Sequence, residues 1–383
     1  MFPDQPWHYQ HWYIACTTKE LKQKELKQKP LGRTVLGLPL VLFRAASGAP
    51  VALLDRCPHR NMPLSEGWLQ QIGPKNSSED SPENSLENSS QPTRLVCPYH
   101  GWQFDEKGHC QKIPGLCAVG ASGEANGAQN AIAYPTVDTY PTVDTYPILE
   151  QQGFIWVYPT REPVKDQQPY RFLLQENPDF STFSWQMTAP VSMPNAAENF
   201  LDATHTHFVH AGLVRTEKRR QLTRVTVKRD HCSAEAIYAD EQQISGLIYR
   251  VLAPGCKEVV SIGRFLLPAI AQIEYRTDKN YRLLMSVFMT PAETGQIRAF
   301  GVVTFCWGLP NWIGRLAAWP LFQLALRQDL ATLLAQAENI DRFGGEQFCF
   351  TGLDVLRPHI NHLLNQAADA EAVLFEKTLT MWL

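Results

Sequence analysis

Two short segments, each with one cysteine and one histidine, have the residue types for metal chemistry. Residues 57–60 read CPHR and residues 97–102 read CPYHGW. They offer two thiolates and two imidazoles, which could hold zinc or a 2Fe–2S cluster with two histidines on one iron. Zinc modules usually pair like ligands, whereas each segment here supplies one ligand of each type, so the spacing favours the cluster. The candidate ligands are Cys57, His59, Cys97 and His100.

A second concentration of metal-ligating side chains lies at residues 198–210, ENFLDATHTHFVH. We predict a helical segment near 195–212, in which Asp202 and His205 share one face and His210 lies about 140° away on an ideal helix. A π-type bulge would bring His205 and His210 back together. Two imidazoles and one carboxylate from elsewhere in the chain form the triad that holds Fe(II) and leaves coordination positions open.

The elements that must position these groups fall into two halves. Between residues 34 and 159, short β runs separated by glycine and proline predict a small all-β domain. After residue 186, the helical segment is followed by alternating runs that predict an antiparallel sheet. Residues 312–340 then carry leucine and alanine at helical spacing, which predicts a long helix lying across that sheet. This order of elements predicts an α+β chain.

Repeated and low-complexity segments interrupt this order. KELKQ occurs twice within residues 19–28 and YPTVDT twice within residues 134–145, and we interpret both as duplications tolerated in surface loops. Residues 70–93 are rich in serine, asparagine, glutamate and proline, so we expect a disordered insertion. The predicted domains are residues 1–160, which include this insertion and an N-terminal extension, and residues 161–383.

Composition limits the compartment and the partners. The 383 residues carry 35 Lys+Arg against 38 Asp+Glu, a net charge of −3 that argues against nucleic acid as the main partner. Nine cysteines, an odd number, and an N-terminus without a signal-peptide pattern predict a reducing, cytoplasmic location without a disulfide framework. The sequence contains no uninterrupted run of 18 apolar residues, so we expect no membrane-spanning helix. Peripheral membrane contact through Trp307, Trp312 and Trp319 stays open.

The two cysteine–histidine segments also carry a family resemblance. CPHR and CPYHGWQFD, followed by IPG at 113–115 and GFIWVYP at 153–159, resemble the Rieske domain of the Rieske non-haem iron oxygenases. The resemblance implies that Cys57 and Cys97 bind one iron and that His59 and His100 bind the other through Nδ1. The spacer between the two ligand pairs is longer than is usual in that family, and the excess coincides with the predicted insertion.

The histidine-rich segment resembles the same oxygenases, because D-x-x-H-x-x-x-x-H is their mononuclear iron motif. The resemblance implies that His205 and His210 bind this iron. His207 remains an alternative ligand, since His207 and His210 form a good i,i+3 pair. Asn199 is expected either near the iron or as an ordinary cap or surface amide.

The carboxylate ligand of that family comes from the C-terminal helix. Here QDLATLLAQ at 328–336 places Asp329 in the expected context and resembles the branch of chlorophyllide and pheophorbide a oxygenases. Asp341, near the end of the predicted helix, is the alternative ligand. The family fold implied for this half is a helix-grip, START-like domain.

The resemblance also implies how electrons reach the iron. Asp202 would link His205 to the partner subunit's His100, which implies a ring of subunits, usually a homotrimer. Each subunit would hold one 2Fe–2S cluster and one Fe(II). Because neither GxGxxG after a strand nor a P-loop is present, electrons from NAD(P)H would arrive indirectly, through a ferredoxin or a separate reductase.

The predicted function is that of an O2-dependent mono- or dioxygenase of the Rieske type. It would hydroxylate or demethylate an organic substrate, in the aromatic or tetrapyrrole class. Two alternatives remain open from the sequence: an electron-transfer protein in which only the Rieske cluster works, and a zinc-stabilised binding protein without a redox role. An electron-transfer protein of this kind would not require the second half of the chain.

Overall fold

A computed structural model describes residues 6–72, 92–115, 141–241, 246–252, 255–306, 311–365 and 374–383. The chain forms two compact units. The first unit is Trp12–Pro169, and the second combines Tyr170–Leu383 with the N-terminal stretch that ends at His11. Most of the predicted insertion at 70–93 lies outside the described residues. Among the described helices, none has the length and apolar character needed to cross a bilayer.

The first unit is built from three small antiparallel sheets, in the orders β1-β10-β9, β2-β3-β4 and β5-β6-β7-β8. Its elements are β1 (Tyr13–Thr17), α1 (Thr18–Leu26), β2 (Leu31–Val35), β3 (Leu38–Arg44), β4 (Pro50–Leu54), β5 (Trp68–Gln71), β6 (Thr93–Val96), β7 (Gln103–Phe104), β8 (Cys110–Lys112), β9 (Ile148–Gln151) and β10 (Phe154–Val157). The core packs Phe43, Leu53, Leu95 and Phe104 around the two candidate cluster cysteines. The prediction of a mainly β first half is confirmed.

The KELKQ duplication is not a surface loop, so that interpretation was wrong. It lies in α1, where lysine, glutamate, glutamine and leucine are strong helix formers. The Thr17 side chain accepts the Glu20 N–H at 3.1 Å and caps the helix, and Leu21 is buried against the sheets. Threonine followed three residues later by glutamate is the sequence signature of this cap.

The YPTVDT duplication also departs from the surface-loop interpretation. Its second copy is described from residue 141, and Val143 there is buried in the core of the first unit. The Val143 N–H donates to the Gly108 carbonyl at 2.9 Å, and the Asp144 carbonyl accepts the Leu54 N–H at 2.8 Å. This copy therefore pairs with the β structure. Residues 134–140 lie outside the described part of the chain.

In the second unit, the described residues form an eight-stranded antiparallel sheet, in the order β11-β17-β16-β15-β14-β13-β12-β18, and four α-helices. Its elements are β11 (Ser181–Ala189), α2 (Met193–Leu201), β12 (Leu222–Arg229), β13 (Ser233–Glu241), α3 (Leu247–Leu252), β14 (Val259–Leu266), β15 (Ile270–Thr277), β16 (Arg282–Pro291), β17 (Ile297–Cys306), α4 (Asn311–Arg342), α5 (Arg357–Asn365) and β18 (Phe375–Trp382). The predicted α+β class, antiparallel sheet and long helix are confirmed.

Register explains how the sheet holds α4. Tyr275 of β15 pairs with Leu283 of β16, and Leu283 pairs with Phe305 of β17. These neighbours lie on one face of the sheet and pack against Ala318 and Phe322 of α4 in a single apolar cluster. The first half of α4 is therefore fixed on the sheet, which positions the residues that follow it.

The opposite face of the central strands is charged. The Glu274 side chain is 1% exposed and accepts hydrogen bonds from Arg264 Nη1 at 2.8 Å, Arg276 Nε at 2.7 Å and Arg282 Nε at 2.7 Å. Burial opposes its ionisation, but the three guanidinium groups outweigh burial and lower the pKa of Glu274 to about 2. A buried carboxylate thus holds one arginine on its own strand and one on each neighbouring strand.

Candidate metal centres

The two cysteine–histidine segments fold into turns with the same backbone hydrogen bond. Asn61 N–H donates to the Cys57 carbonyl at 2.9 Å, and Gly101 N–H donates to the Cys97 carbonyl at 3.0 Å. The donor residue has a positive φ in both turns, 58° at Asn61 and 71° at Gly101. Asparagine and glycine tolerate this left-handed conformation best, which explains their use here. The shared geometry makes the turns two halves of one site.

The side chains of these turns divide into an inner pair and an outer pair. Cys57 and Cys97 are each 1% exposed and belong to the core of the first unit. Burial and the neighbouring Cys97 thiol raise the pKa of Cys57 to about 11, so a thiolate pair here requires a compensating cation. The outer pair, His59 and His100, has ring centroids 4.5 Å apart, and His59 stacks on Trp102 at 4.8 Å.

One atom in this site fits a metal ligand directly. His59 Nδ1 is buried and has no hydrogen-bond partner among the described residues. A buried polar atom without a partner is costly unless something else satisfies it, and an iron ion would do so. Two buried thiols beside two outer imidazoles fit a 2Fe–2S cluster with sulfur ligands on its inner iron and nitrogen ligands on its outer iron.

The segment that carries the second set of histidines is not the continuous helix that we predicted. Helix α2 ends at Leu201, Asp202 is extended (φ −71°, ψ 122°), and His205–His207 form a 3₁₀ turn rather than a π-bulge. The Asp202 carboxylate accepts the N–H groups of Thr204 at 2.7 Å and His205 at 3.0 Å. These bonds replace helical ones, because a short acidic side chain competes for nearby backbone donors.

This irregular turn brings His205 and His210 together with Asp329 of α4. The ligand atoms of these three residues lie within 4.8 Å of one another. His205 Nε2 is 3.5 Å and His210 Nε2 is 3.0 Å from the same oxygen, Asp329 Oδ1. Among the described residues, His205 Nε2 and Asp329 Oδ1 are buried without a well-aligned hydrogen bond. Two imidazoles and one carboxylate in this arrangement fit a divalent iron.

Electrostatics of this group favour a bound cation. Burial opposes a charge on His205, but the carboxylates of Asp202 and Asp329 outweigh it and raise the pKa of His205 to about 9. Burial likewise opposes ionisation of Asp329, and the two imidazoles lower its pKa below the ordinary value. Two carboxylates therefore draw positive charge to this position, which a proton on His205 or a metal ion can supply.

The alternative ligands lie elsewhere. Asp341 is exposed near the end of α4. His207 is buried, but within the described part of the chain it does not belong to the cluster of mutually close ligand atoms. Asn199 lines a second pocket, which it shares with Asp202 and Gln336, rather than the pocket that contains the histidines.

Sequence reasoning missed two supports of this group. His210 Nδ1 donates to Gln328 Oε1 at 2.9 Å, so in the neutral ring Nε2, 3.0 Å from Asp329 Oδ1, is the nitrogen available as a ligand atom. Gln328 directly precedes Asp329 in the sequence, and its role is visible only from its contact with His210, which is distant in sequence. Arg357, which is 4% exposed, donates to Asn195 at 2.8 Å and to Glu198 at 2.5 Å, and so anchors α2 just before Asp202.

The histidines and Asp329 lie in a pocket with a mainly apolar and aromatic wall. Its lining includes Phe200, Tyr275, Leu283, Met285, Phe305 and Phe322. Polar side chains also reach the lining, among them Tyr238; burial together with the charge of Asp202 raises the pKa of Tyr238, so its hydroxyl remains a neutral donor. Such a wall excludes water and suits an apolar ring system.

Two families of known proteins match the two halves of the chain. Residues 11–141 match the Rieske [2Fe-2S] domain, and residues 190–370 match the vanillate O-demethylase oxygenase C-terminal domain. The chain is 29% identical over 224 residues to dicamba O-demethylase, oxygenase component, of Stenotrophomonas maltophilia, covering 57% of this chain and 52% of that protein. It is 30% identical over 213 residues to the chloroplastic pheophorbide a oxygenase of Oryza sativa subsp. japonica, covering 52% of this chain and 32% of that protein.

The chain thus spans about a third to a half of the length of these curated relatives. A solved structure of dicamba monooxygenase bound to dicamba has the same fold, with a TM-score of 0.66 and 21% identity over 93% of this chain and 96% of that one. Since one chain carries both a Rieske domain and an oxygenase C-terminal domain, the protein belongs to the Rieske non-haem iron oxygenases.

Proposed function

We propose that the chain is the oxygenase of an O2-dependent system that hydroxylates or demethylates an organic substrate, as a mono- or dioxygenase. One observation carries the proposal: His205, His210 and Asp329 converge in an apolar pocket, in a chain that also carries a Rieske domain. A simple electron carrier would need neither the convergence nor the pocket. When bound, a Rieske cluster supplies single electrons and a mononuclear iron activates O2 for reaction with the substrate.

We assign the cluster to Cys57, Cys97, His59 and His100. The thiols would hold the inner iron, because both are buried in the core, where their charge needs the metal. The imidazoles would hold the outer iron through Nδ1, the atom of His59 that is buried without a hydrogen-bond partner among the described residues. Stacking on Trp102 fixes the His59 ring in one orientation.

We assign the mononuclear iron to His205 Nε2, His210 Nε2 and Asp329. Gln328 holds the proton of His210 on Nδ1, which keeps Nε2 available as the ligand atom. Asp202 Oδ2 lies 3.6 Å from His205 Nδ1, which is beyond hydrogen-bond distance, so it supports that ring through the charge of the carboxylate and through the backbone N–H of His205, which it accepts at 3.0 Å. Desolvation by the apolar wall strengthens these contacts and excludes bulk water from the reacting centre.

The substrate class follows from the pocket wall. Aromatic and aliphatic side chains line most of it, so we infer an apolar substrate with an aromatic or tetrapyrrole ring system. The Tyr238 hydroxyl supplies a neutral donor that could orient an oxygen atom of the substrate. Relatives named dicamba O-demethylase and pheophorbide a oxygenase represent the two substrate types, aryl methyl ether and tetrapyrrole.

Electron delivery is proposed to require partners. Asp202 lines the histidine pocket and also the second pocket that contains Asn199, and its pKa is lowered because hydrogen bonds from His205 and Thr204 outweigh the effect of burial. Asp202 is therefore ionised, and we propose that it links His205 to the partner subunit's His100 in a homotrimer. A ferredoxin or reductase would deliver electrons that originate from NAD(P)H. The relatives include bacterial and chloroplastic proteins, so the predicted cytoplasmic location remains a prediction.

The test is to reconstitute the chain anaerobically with iron and sulfide, then measure its spectrum, metal content and turnover. We expect a brown protein whose visible absorption bleaches with dithionite, and a further labile Fe(II) that a chelator removes without bleaching the cluster. Labelled O2 should enter the product, or the formaldehyde released, when a panel of aryl methyl ethers and tetrapyrroles is supplied. A colourless zinc protein, or a brown protein without the labile iron, would refute the proposal.

A further inference from the structure

Helices α3 and α4 present an exposed apolar surface, which we call the α3/α4 face. It comprises Leu247, Trp312, Leu316 and Leu324, with exposed fractions of 46%, 70%, 72% and 47%. Exposed large apolar side chains are ordinary when they are scattered singly. Here three of the four lie on one helix, and α3 packs beside that helix through Ile248. The clustering indicates a contact surface.

Helical spacing separates this face from the buried side of α4. Trp312, Leu316, Pro320 and Leu324 follow each other at intervals of four residues, and each is exposed. At about 100° per residue they form one stripe, whereas Ala318 and Phe322 lie on the opposite side of the helix. Those two residues are buried in the apolar cluster with the sheet. The first half of α4 is therefore apolar on its exposed side as well as on its buried side, whereas a surface helix normally exposes polar residues to water.

The two described tryptophans among the candidates for membrane contact lie in different environments. Trp312 is 70% exposed on the α3/α4 face. Trp319 is instead turned towards the sheet, where its ring meets Phe183 edge-on at 5.2 Å. Trp307 lies outside the described residues. Only Trp312, of the two described, is positioned for an external partner.

Charge distinguishes the possible partners of this face. Arg250, Arg315 and Arg327 are exposed on the same two helices, and residues 247–252 and 311–328 contain no aspartate or glutamate. The second half of α4 differs, since Glu338 and Asp341 are exposed there. The apolar stripe and the arginines therefore coincide on the first half of α4 and end before the acidic half begins.

We propose that the α3/α4 face docks on the surface of an anionic lipid bilayer. Tryptophan and leucine enter the interface, where the amphipathic indole ring is favoured, and the arginines meet the anionic headgroups. A symmetric contact with a second copy of the chain would instead place these arginines against each other, because a two-fold interface pairs a surface with itself. The charge pattern thus favours lipid over a two-fold contact between copies.

Docking in this way would place the pocket next to the bilayer. Ile248 of α3 and Phe322 and Leu326 of α4 line the pocket that holds the histidines. The same two helices thus separate the pocket from the lipid, so an apolar substrate dissolved in the membrane would meet the enzyme at this face. This consequence rests on the proposed oxygenase function, whereas lipid binding itself does not.

The test is co-sedimentation of the reconstituted full chain with vesicles of phosphatidylcholine, with and without phosphatidylglycerol. We expect binding to the anionic vesicles that weakens as salt is raised and is about fivefold weaker for each arginine removed in Arg315→Gln and Arg327→Gln. The double variant Trp312→Ser/Leu316→Ser should lose about tenfold or more.

A matched control is Leu222→Ser/Trp382→Ser. These residues pair across β12 and β18 and are 56% and 62% exposed, so the control removes equivalent exposed apolar groups from the sheet edge. It should bind vesicles like the parent. No binding to anionic vesicles, or equal loss in the two double variants, would overturn the proposal. A change of oligomeric mass in Trp312→Ser/Leu316→Ser by light scattering would also overturn it, because the face would then be a contact between copies.

Discussion

Replacing Gln328 with leucine should weaken metal binding at the proposed mononuclear centre without changing a proposed ligand. Gln328 Oε1 accepts the proton of His210 Nδ1 at 2.9 Å, while His210 Nε2 faces Asp329 Oδ1 at 3.0 Å. The hydrogen bond fixes both the tautomer and the orientation of the ring. Leucine is close to glutamine in size, so the change removes the acceptor and keeps the packing.

The expected magnitude follows from the role of this contact. Removing the hydrogen-bond partner of a metal-bound histidine typically costs about 10- to 100-fold in metal affinity. At about 1.4 kcal/mol per factor of ten, this corresponds to about 1.4–2.7 kcal/mol. The lower end applies if the imidazole keeps its orientation through packing alone, since His210 is only 4% exposed. Gln328→Glu should retain most of the affinity, because a carboxylate also accepts the Nδ1 proton.

The assay is Co(II) or Fe(II) titration of protein that retains its cluster but has been stripped of the labile metal. Gln336→Leu is the control, because it makes the same change at an exposed position of the same helix. We expect a 10- to 100-fold higher Kd for Gln328→Leu only, with the same cluster spectrum in all variants. A Kd for Gln328→Leu equal to that of the control would refute the assigned role of Gln328.

Three further predictions concern other parts of the chain. Glu274→Gln should lower the free energy of unfolding by about 3 kcal/mol at neutral pH in urea titrations, since the pKa of Glu274 falls from 4.5 to about 2 on folding. The arginines stabilise only the ionised form of Glu274, so the difference in unfolding free energy should be complete above pH 4.5 and shrink as pH falls towards 2. A difference that does not change with pH would show that the charge of Glu274 is not its cause. Gly101→Ala should lose cluster on gel filtration, because Gly101 has φ +71° and a Cβ would lie 3.0 Å from Pro114 Cγ. Gly115→Ala is its control, with φ +85° and nothing within 4 Å, and equal cluster loss in both would show that the contact is irrelevant. Asp202→Asn should keep the cluster spectrum but reduce product formation by about 10- to 100-fold or more; normal turnover would exclude the proposed electron link.

Local patterns were sufficient for much of the fold. The alternating runs predicted after the histidine-rich segment correspond to β12–β17, and the spacing of leucine and alanine correctly indicated α4. The two strands at the sheet edges, β11 and β18, were not predicted. An edge strand has one neighbour and few buried positions, and β18 buries only Met381, so its hydrophobic pattern is weak. Helix α1 was missed although its cap is readable in the sequence.

The candidate site was less accessible to local reasoning. Residue types and spacing identified the histidines, but periodicity wrongly extended α2 through Asp202, whose side chain diverts the backbone hydrogen bonds. Asp329 was chosen by resemblance, since nothing in its local sequence indicates which distant turn it meets. Gln328 and Arg357 act through partners on other elements, and such pairings appear only once the chain is folded.

The proposed function requires that one chain hold both a Rieske cluster and a separate iron centre at His205, His210 and Asp329. Nitric oxide binds open positions on mononuclear Fe(II), so electron paramagnetic resonance of the anaerobic, NO-treated protein measures that centre directly. We predict a high-spin iron–nitrosyl signal in the parent protein that disappears in Asp329→Ala and persists in Asp341→Ala, with the reduced cluster signal present in all three. A signal that survives in Asp329→Ala, or is absent from iron-loaded parent protein, would show that Asp329 and the two histidines do not hold an iron.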